Sequence, residues 1–376
     1  MKVEFDVCII GGGLAGLSAS LHLNKLGFSV VVVEKNSYPN HKVCGEYVSN
    51  EILPYLQWLG VDLDELPIAK IHNLKLSTKT GKYLETKLPL GGFGISRYAF
   101  DLMLYQKAKE QGVHFIRAVV TRVDFNQDQF GILMGQKGSI QAKHTIGAYG
   151  KRSNLDKWLG RSFIQQKSPW LGVKCHYQYP GFPEDLVALH HFDGGYGGLS
   201  KTEMGTVNFC YLATFKSFKK YRSIADYNAH VVGKNPFLGE FLSEAKPVFD
   251  APLTISQISF QKKNAVENHM LMCGDSAGLI HPLCGNGMAM AIHSAKIASE
   301  CILEHLQTHA AERRRLEATY QERWRDAFSG RLWMGRNLQR LLMHGGASDL
   351  LIGSVAKSEK ILQSMIQTTH GKPILV

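Results

Sequence analysis

Gly11, Gly13 and Gly16 follow an apolar run, Val7-Cys8-Ile9-Ile10, in the spacing G-x-G-x-x-G, and a second apolar run from Val30 to Val33 ends in Glu34. Between them lies a helical pattern through Leu26. This is the arrangement of a βαβ unit that holds a dinucleotide. Gly11 permits the tight turn from strand to helix, Gly13 lacks the Cβ that would block a pyrophosphate, and Gly16 lets the helix sit close on the sheet. The helix N-terminus then offers free N–H groups and a positive dipole end to the phosphates. Glu34 can accept hydrogen bonds from both hydroxyls of an adenosine ribose, and a 2′-phosphate there would meet its charge. That favours FAD or NAD over NADP, with Lys35 beside it at the cofactor.

Two further stretches carry chemistry. Val43-Cys44-Gly45-Glu46 lies in the loop leaving the second strand, where a Cys-Gly pair can be brought beside a bound ring; a buried structural thiol is the plain alternative. Residues 270 to 275 form a short apolar strand ending at Gly274-Asp275, followed by His281-Pro282-Leu283-Cys284-Gly285-Asn286-Gly287 and a long helical run from Met288 to His305. Asp275 can bind a sugar hydroxyl of the cofactor chain. Gly285 and Gly287, just ahead of the helix, present backbone N–H groups to an electron-rich ligand. Two such turns suggest one extended ligand touching both.

The elements that must position these residues can be read from the pattern. Residues 71 to 90 alternate around Thr80-Gly81 as a hairpin, and the stretch from Ile95 to Asp101 opens a helix that ends at Gly112. Strands are expected at 113 to 123, 130 to 135 and 139 to 148, then a β-rich section to about 260 with a helical interruption near 222 to 243. The expected division is a cofactor domain from 1–70, 95–159 and 261–310, a substrate domain from 71–94 and 160–260, and a helical region from 311 to 376. His190 and His191 are neighbours on a strand and point to opposite faces, so no metal site is read there. No G-x-S-x-G occurs, which removes a serine nucleophile of that kind.

With 376 residues the chain is long enough for two cores. Its seven cysteines are scattered, odd in number and free of C-x-x-C, which points to a reducing, cytoplasmic setting. No signal peptide or transmembrane helix is expected. A net charge of +11 is dispersed and carries no nucleic-acid motif, so an anionic cofactor, an acidic substrate or a membrane surface accounts for it better. The Arg-rich amphipathic tail from about 311 reads as a cap on its own domain, with peripheral membrane contact as the alternative.

These motifs resemble those of the FAD-dependent oxidoreductases that include the aromatic-ring monooxygenases and the geranylgeranyl reductases. The resemblance covers roughly residues 3 to 310 and implies an α/β fold of the glutathione-reductase-like, Rossmann-type kind, with a β-rich substrate domain and a helical C-terminal tail. It implies one non-covalent FAD along both turns, with NADH or NADPH as electron donor. By this resemblance Arg97, in register with Asp101, packs near the FAD, Asp275 contacts the ribityl chain, and Pro282, Gly285, Asn286 and Gly287 face the flavin. Cys44-Gly45-Glu46 resembles a segment of the reductase branch that lies near the flavin, and Cys44 and Tyr196 are the expected catalytic residues.

Where many hydroxylases carry Asp-Gly this chain has Tyr149-Gly150, and where prenyl reductases carry an aromatic lid it has Gly194-Gly195-Tyr196-Gly197-Gly198. The Trp-x-Trp-x-Ile-Pro signature of flavin halogenases is absent. Those glycines imply an open pocket, so the expected activity is hydroxylation of a lipophilic or polyketide-like phenolic substrate. The alternatives are reduction of C=C bonds in a prenyl substrate and a non-catalytic flavin-binding protein. Protein denatured after purification is expected to release FAD, identified by mass spectrometry of the supernatant. FMN, NAD or no ligand from well-folded preparations would remove the reading of the N-terminal half.

Overall fold

The computed structural model describes residues 4–279, 285–307, 312–343, 366 and 371–376, with side chains of the last helix described as far as 337. Two sheets organise them. In the first, the strand Glu4–Ile10 lies parallel between Val30–Glu34 and Ser139–Gly147, and His114–Arg117 extends the sheet beyond Val30–Glu34. Met270–Met272 runs parallel on the other side of Ser139–Gly147. Strands buried on both faces must be apolar throughout, and Val30 to Val33 are all buried. The helix Leu14–Lys25 is buried from Leu14 to Leu23 and shares its core with the helix Gly287–Gln307, so both glycine turns open at one edge of this sheet. Gly16 lets the first helix sit close to the strand and turn before it, because a Cβ there would stand 1.9 Å from the Gly11 carbonyl oxygen.

The second sheet is assembled from distant segments. Its order runs from Lys246–Pro247 through Trp170–Gln178, Val207–Thr214, Gly195–Lys201, Leu186–Phe192, Ala69–Ser77 and Tyr83–Gly94 to Tyr47–Ser49. The expected hairpin is present as Ala69–Ser77 and Tyr83–Gly94, joined through Thr80-Gly81. After the loop that follows Glu34 come the short strand Tyr47–Ser49, a 3-10 turn and a helix of only six residues, Leu53–Trp58. Tyr47–Ser49 is drawn into the second sheet because its backbone finds partners on Gly92, Phe93 and Gly94.

The Gly194–Gly198 segment corrects an expectation. It is no open lid. Gly195–Lys201 is an interior strand, hydrogen-bonded to Leu186–Phe192 on one side and Val207–Thr214 on the other. The space a side chain would need is already filled: a Cβ on Gly195 would meet the Leu212 carbonyl oxygen at 2.3 Å, and one on Gly197 would meet the Phe209 ring at 2.6 Å. Gly195 and Gly197 therefore allow close packing away from the cavity, whereas Gly198 is one of the residues that line it.

The helix Arg313–Met343 closes over the first sheet. Leu316, Tyr320, Phe328 and Leu332, spaced along one face, are buried in its core. Three of its arginines are engaged by the fold: Arg313 pairs with Asp128, Arg323 with Glu304 at 2.8 Å, and Arg331 with Glu51 at 3.3 Å. Among the described residues no helix is long and apolar enough to cross a membrane. Phe328 is fully buried against His293 and Trp324. Phe328→Ala is expected to cost about 3–5 kcal/mol in urea unfolding of the cofactor-loaded protein, and a loss below about 1 kcal/mol would show that the helix does not carry this core.

Candidate functional site

One cavity of about 1020 Å³ begins at the glycine turn and runs across the face of the second sheet. Gly11, Gly13, Glu34 and Lys35 line its first part, Cys44, Gly45 and Arg97 its middle, and Asp275, Gly285 and Gly287 the wall opposite. Tyr196 lines the part that lies over the second sheet. Gly16 sits behind the turn against the Gly11 carbonyl and takes no part in the lining. Asn286 is fully buried and its side chain hydrogen-bonds Glu51, so it serves the wall from behind. Pro282 lies outside the described residues.

The first part of the cavity fits a pyrophosphate-bearing cofactor. At Gly13 the place of the missing Cβ faces Arg97 Nη2 at 3.5 Å and Lys42 Nζ at 3.9 Å, so a phosphate brought against this backbone would stand between two cations. The helix starting at Leu14 has no acidic residue in its first turn and no side-chain cap, which leaves its N-terminal N–H groups for a ligand. Glu34 Oε2 accepts from Gly12 N at 2.7 Å and Oε1 from Asn36 N at 2.9 Å, so the carboxylate is held in place with lone pairs to spare for ribose hydroxyls.

Arg97 is itself fixed. Its Nε and Nη2 donate to Asp101 at 2.7 and 2.8 Å, and Lys42 Nζ donates to the same carboxylate at 2.6 Å. Burial works against the Arg97 charge, and Asp101 outweighs it, so the guanidinium pKa is raised. Burial likewise opposes the Asp101 charge, while Arg97 and Lys42 hold its carboxyl below the ordinary value. On the opposite wall Lys263 Nζ donates to the Asp275 carbonyl at 2.7 Å, and burial lowers this ammonium to about 8 against the opposing pull of Asp275.

The loop carrying Cys44 is locked from beneath. Asn208 Nδ2 donates to the Cys44 carbonyl at 3.2 Å and to the Gly45 carbonyl at 2.8 Å. Glu46, in the left-handed region at φ 55°, is fully buried and accepts from Lys174 Nζ, from His176 Nε2 at 2.6 Å and from the Arg97 backbone N–H at 2.7 Å. Burial alone would raise its carboxyl, but the His176 hydrogen bond and the Lys174 charge prevail and lower it. His41, Glu46 and His176 bring potential metal-ligand atoms within 4.8 Å of one another. The Lys174 ammonium already compensates Glu46 there, which opposes the approach of a further cation.

Lys42, Lys174, His176 and Lys263 do not stand out from sequence motifs, and Glu46 does so only as the last residue of the Cys44-Gly45-Glu46 stretch. For Lys174 and His176 a signal was available: in Trp170–Gln178 they are the i and i+2 positions of a strand buried from Trp170 to Tyr177, so both point to one face and need a partner in the interior. His190 and His191 do part to opposite faces. His190 stacks on Phe237 at 5.1 Å, while His191 faces the cavity.

The groove, its glycines and its basic clamp are those of an FAD-binding oxidoreductase, and the chain belongs to the FAD binding domain family, whose model matches residues 4–329. Among its relatives is the digeranylgeranylglycerophospholipid reductase of Methanosarcina acetivorans, 24% identical over 87% of this chain and 82% of that protein. In fold it is similar to the flavin-dependent brominase Bmp2, with a TM-score of 0.79 at 19% identity over 98% of this chain and 93% of that one. It is also similar to a geranylgeranyl bacteriochlorophyll reductase-like protein from Thermoplasma acidophilum, with a TM-score of 0.77 at 18% identity over 97% and 96%.

Glu46→Gln removes the charge that compensates Lys174 and is expected to cost about 3–5 kcal/mol at neutral pH. Because the native carboxyl is lowered, this contribution is fully present above the ordinary carboxylate pKa of about 4.3 and is lost as pH falls through the native value. Denaturant unfolding of both proteins across pH 3–7 checks the sign. A difference that persists undiminished at the acid end would detach the effect from the carboxylate.

Proposed function

We propose that the chain reduces C=C bonds of a lipophilic, isoprenoid-like substrate, with electrons reaching its FAD from NADH or NADPH. The observation that carries this reading is the continuity of the cofactor groove with an apolar chamber. Leu74, Leu76, Leu84 and Leu88 of the hairpin and Val187 and Leu189 of the neighbouring strand form the wall of the same 1020 Å³ cavity that holds Gly13 and Cys44. Such a wall binds a long hydrocarbon by burial of apolar surface and keeps water from the reacting carbons. The relatives named digeranylgeranylglycerophospholipid reductases support the same substrate class.

FAD, when bound, supplies the hydride for one carbon of the double bond. The chain must then supply a proton to the other. Glu46 is unsuited to this, since its carboxyl is held ionised by His176 and Lys174. The Cys44 thiol, on the locked loop at the cavity wall, is the donor we propose, with the Tyr196 hydroxyl as the second proton-handling group lining the chamber. Arg97, Lys42 and the glycine turn hold the pyrophosphate, Glu34 and Lys35 the adenosine end, and Asp275, Gly285 and Gly287 the flavin end.

Hydroxylation, the activity first expected from the Gly194–Gly198 segment, loses the support of Gly195 and Gly197, which pack within an interior strand and do not line the cavity. A single turnover with chemically reduced protein and a geranylgeranyl lipid separates the two reactions. Without oxygen, the product is expected to gain two hydrogens per double bond, and under labelled O2 no label is expected in it. Label in the product, together with no anaerobic reaction, would restore the monooxygenase reading. Cys44→Ser is expected to keep FAD and slow the substrate half-reaction by roughly a hundredfold; an unchanged rate would return Cys44 to a structural role.

A further inference from the structure

The apolar chamber carries a polar group, His191, that the proposed hydride and proton transfers do not use. Along Leu186–Phe192 alternate side chains face the same way, and Val187, Leu189 and His191 all line the cavity. His191 ends this row with only 5% of its surface exposed. Its Nδ1 donates to the Ser77 carbonyl at 3.0 Å. Its own carbonyl accepts from Asn235 Nδ2 at 2.9 Å, and the same amide holds Ser77 Oγ at 2.9 Å and the Thr78 carbonyl at 3.0 Å. Ser77 and Asn235 are fully buried. The ring is therefore held in one orientation and one tautomer, with the hydrogen on Nδ1 and a lone pair on Nε2. Burial lowers the ring pKa against the opposing Ser77 carbonyl, so the imidazole stays neutral.

Nε2 is buried and has no hydrogen-bond partner among the described residues. An acceptor left unpaired in an apolar surround is costly, and folded proteins rarely leave one so. The group that completes it must donate. Carboxylates, ionised phosphates, ethers and ketones have no hydrogen to give, and a cation would be costly to bury against Leu76, Val187 and Leu189. A neutral O–H satisfies both conditions. We propose that His191 Nε2 accepts a hydrogen bond from a hydroxyl of the lipophilic substrate, which makes His191 a specificity-determining residue for a long apolar alcohol. This rests on the lipophilic reading of the cavity given above and adds to it the chemistry of the substrate's polar group.

The test uses the full-length FAD-loaded protein and two probes of nearly equal apolar surface, the fifteen-carbon prenyl alcohol farnesol and its methyl ether. Affinity is read from the change each probe produces in the absorption of the bound flavin. The parent is expected to prefer the alcohol by about two- to tenfold, as one net hydrogen bond provides. His191→Phe, which keeps a flat ring and removes the acceptor, is expected to bind both probes alike. His191→Gln keeps an acceptor and is expected to retain part of the preference. Where His191→Phe loses FAD, equal binding by the parent still overturns the assignment, and His191→Asn, which removes the ring and shortens the acceptor's reach, is expected to bind both probes alike. Equal binding by the parent would mean that a retained water serves Nε2, and a preference that survives in His191→Phe would put the hydroxyl elsewhere; either result overturns the assignment while the lipophilic reading stands. Binding of neither probe would overturn both.

Discussion

A buried carboxylate, Glu46, joins the two halves of this molecule. It sits at a non-glycine positive φ in the loop that leaves the cofactor groove, and its partners come from elsewhere: Lys174 and His176 from the second sheet, and the Arg97 N–H from the first turn of the helix Arg97–Glu110. Taking a carboxylate and an ammonium out of water is expensive, and the arrangement persists only because each is met by the other and by further donors. The strained backbone is likewise held by its surroundings. A second tie runs nearby, where Ser96, which caps that helix, gives its N–H and hydroxyl to Glu203 at 2.7 and 2.6 Å. The position of the Cys44–Gly45 backbone over the second sheet follows from these bonds.

What the joint produces is a cavity with two chemical characters. One end is polar and cationic, built around Arg97, Lys42 and a helix N-terminus, and suits phosphates. The other is walled by leucines and valines and suits hydrocarbon. Neither sheet makes this alone. The first supplies the turns that approach the cofactor backbone, and the second supplies the apolar face. The same frame occurs in a brominase and in a reductase-like protein, and the activity must therefore be argued from the wall residues.

Some of the basic residues have local roles. Lys42 and Arg97 share Asp101 at the cationic end of the cavity, while Arg313, Arg323 and Arg331 bind the last long helix to carboxylates of its own fold. A basic amphipathic pattern was compatible with either a bilayer or a domain surface, because both present an apolar face beside anionic groups. The contacts of Leu316, Tyr320 and Phe328 show the second.

The sequence by itself determined the elements whose signals are local. The glycine spacing from Gly11 to Gly16, the acid at Glu34, the hairpin around Thr80-Gly81 and the helix after Gly287 all depend on neighbours in the chain, through steric freedom at a turn or the period of apolar residues. Tertiary structure decided whatever depends on residues far apart. Gly195 and Gly197 looked like part of an opening and prove to be close packing, since the atoms filling their space come from Leu212 and Phe209. Glu46 was visible as part of a motif, but its role waits on Lys174 and His176, 128 and 130 positions away. His191 likewise parts from His190 by strand alternation, which the chain shows, whereas its fixed tautomer comes from Ser77, 114 positions back. A local pattern states which way a side chain faces; only the fold states what it meets there.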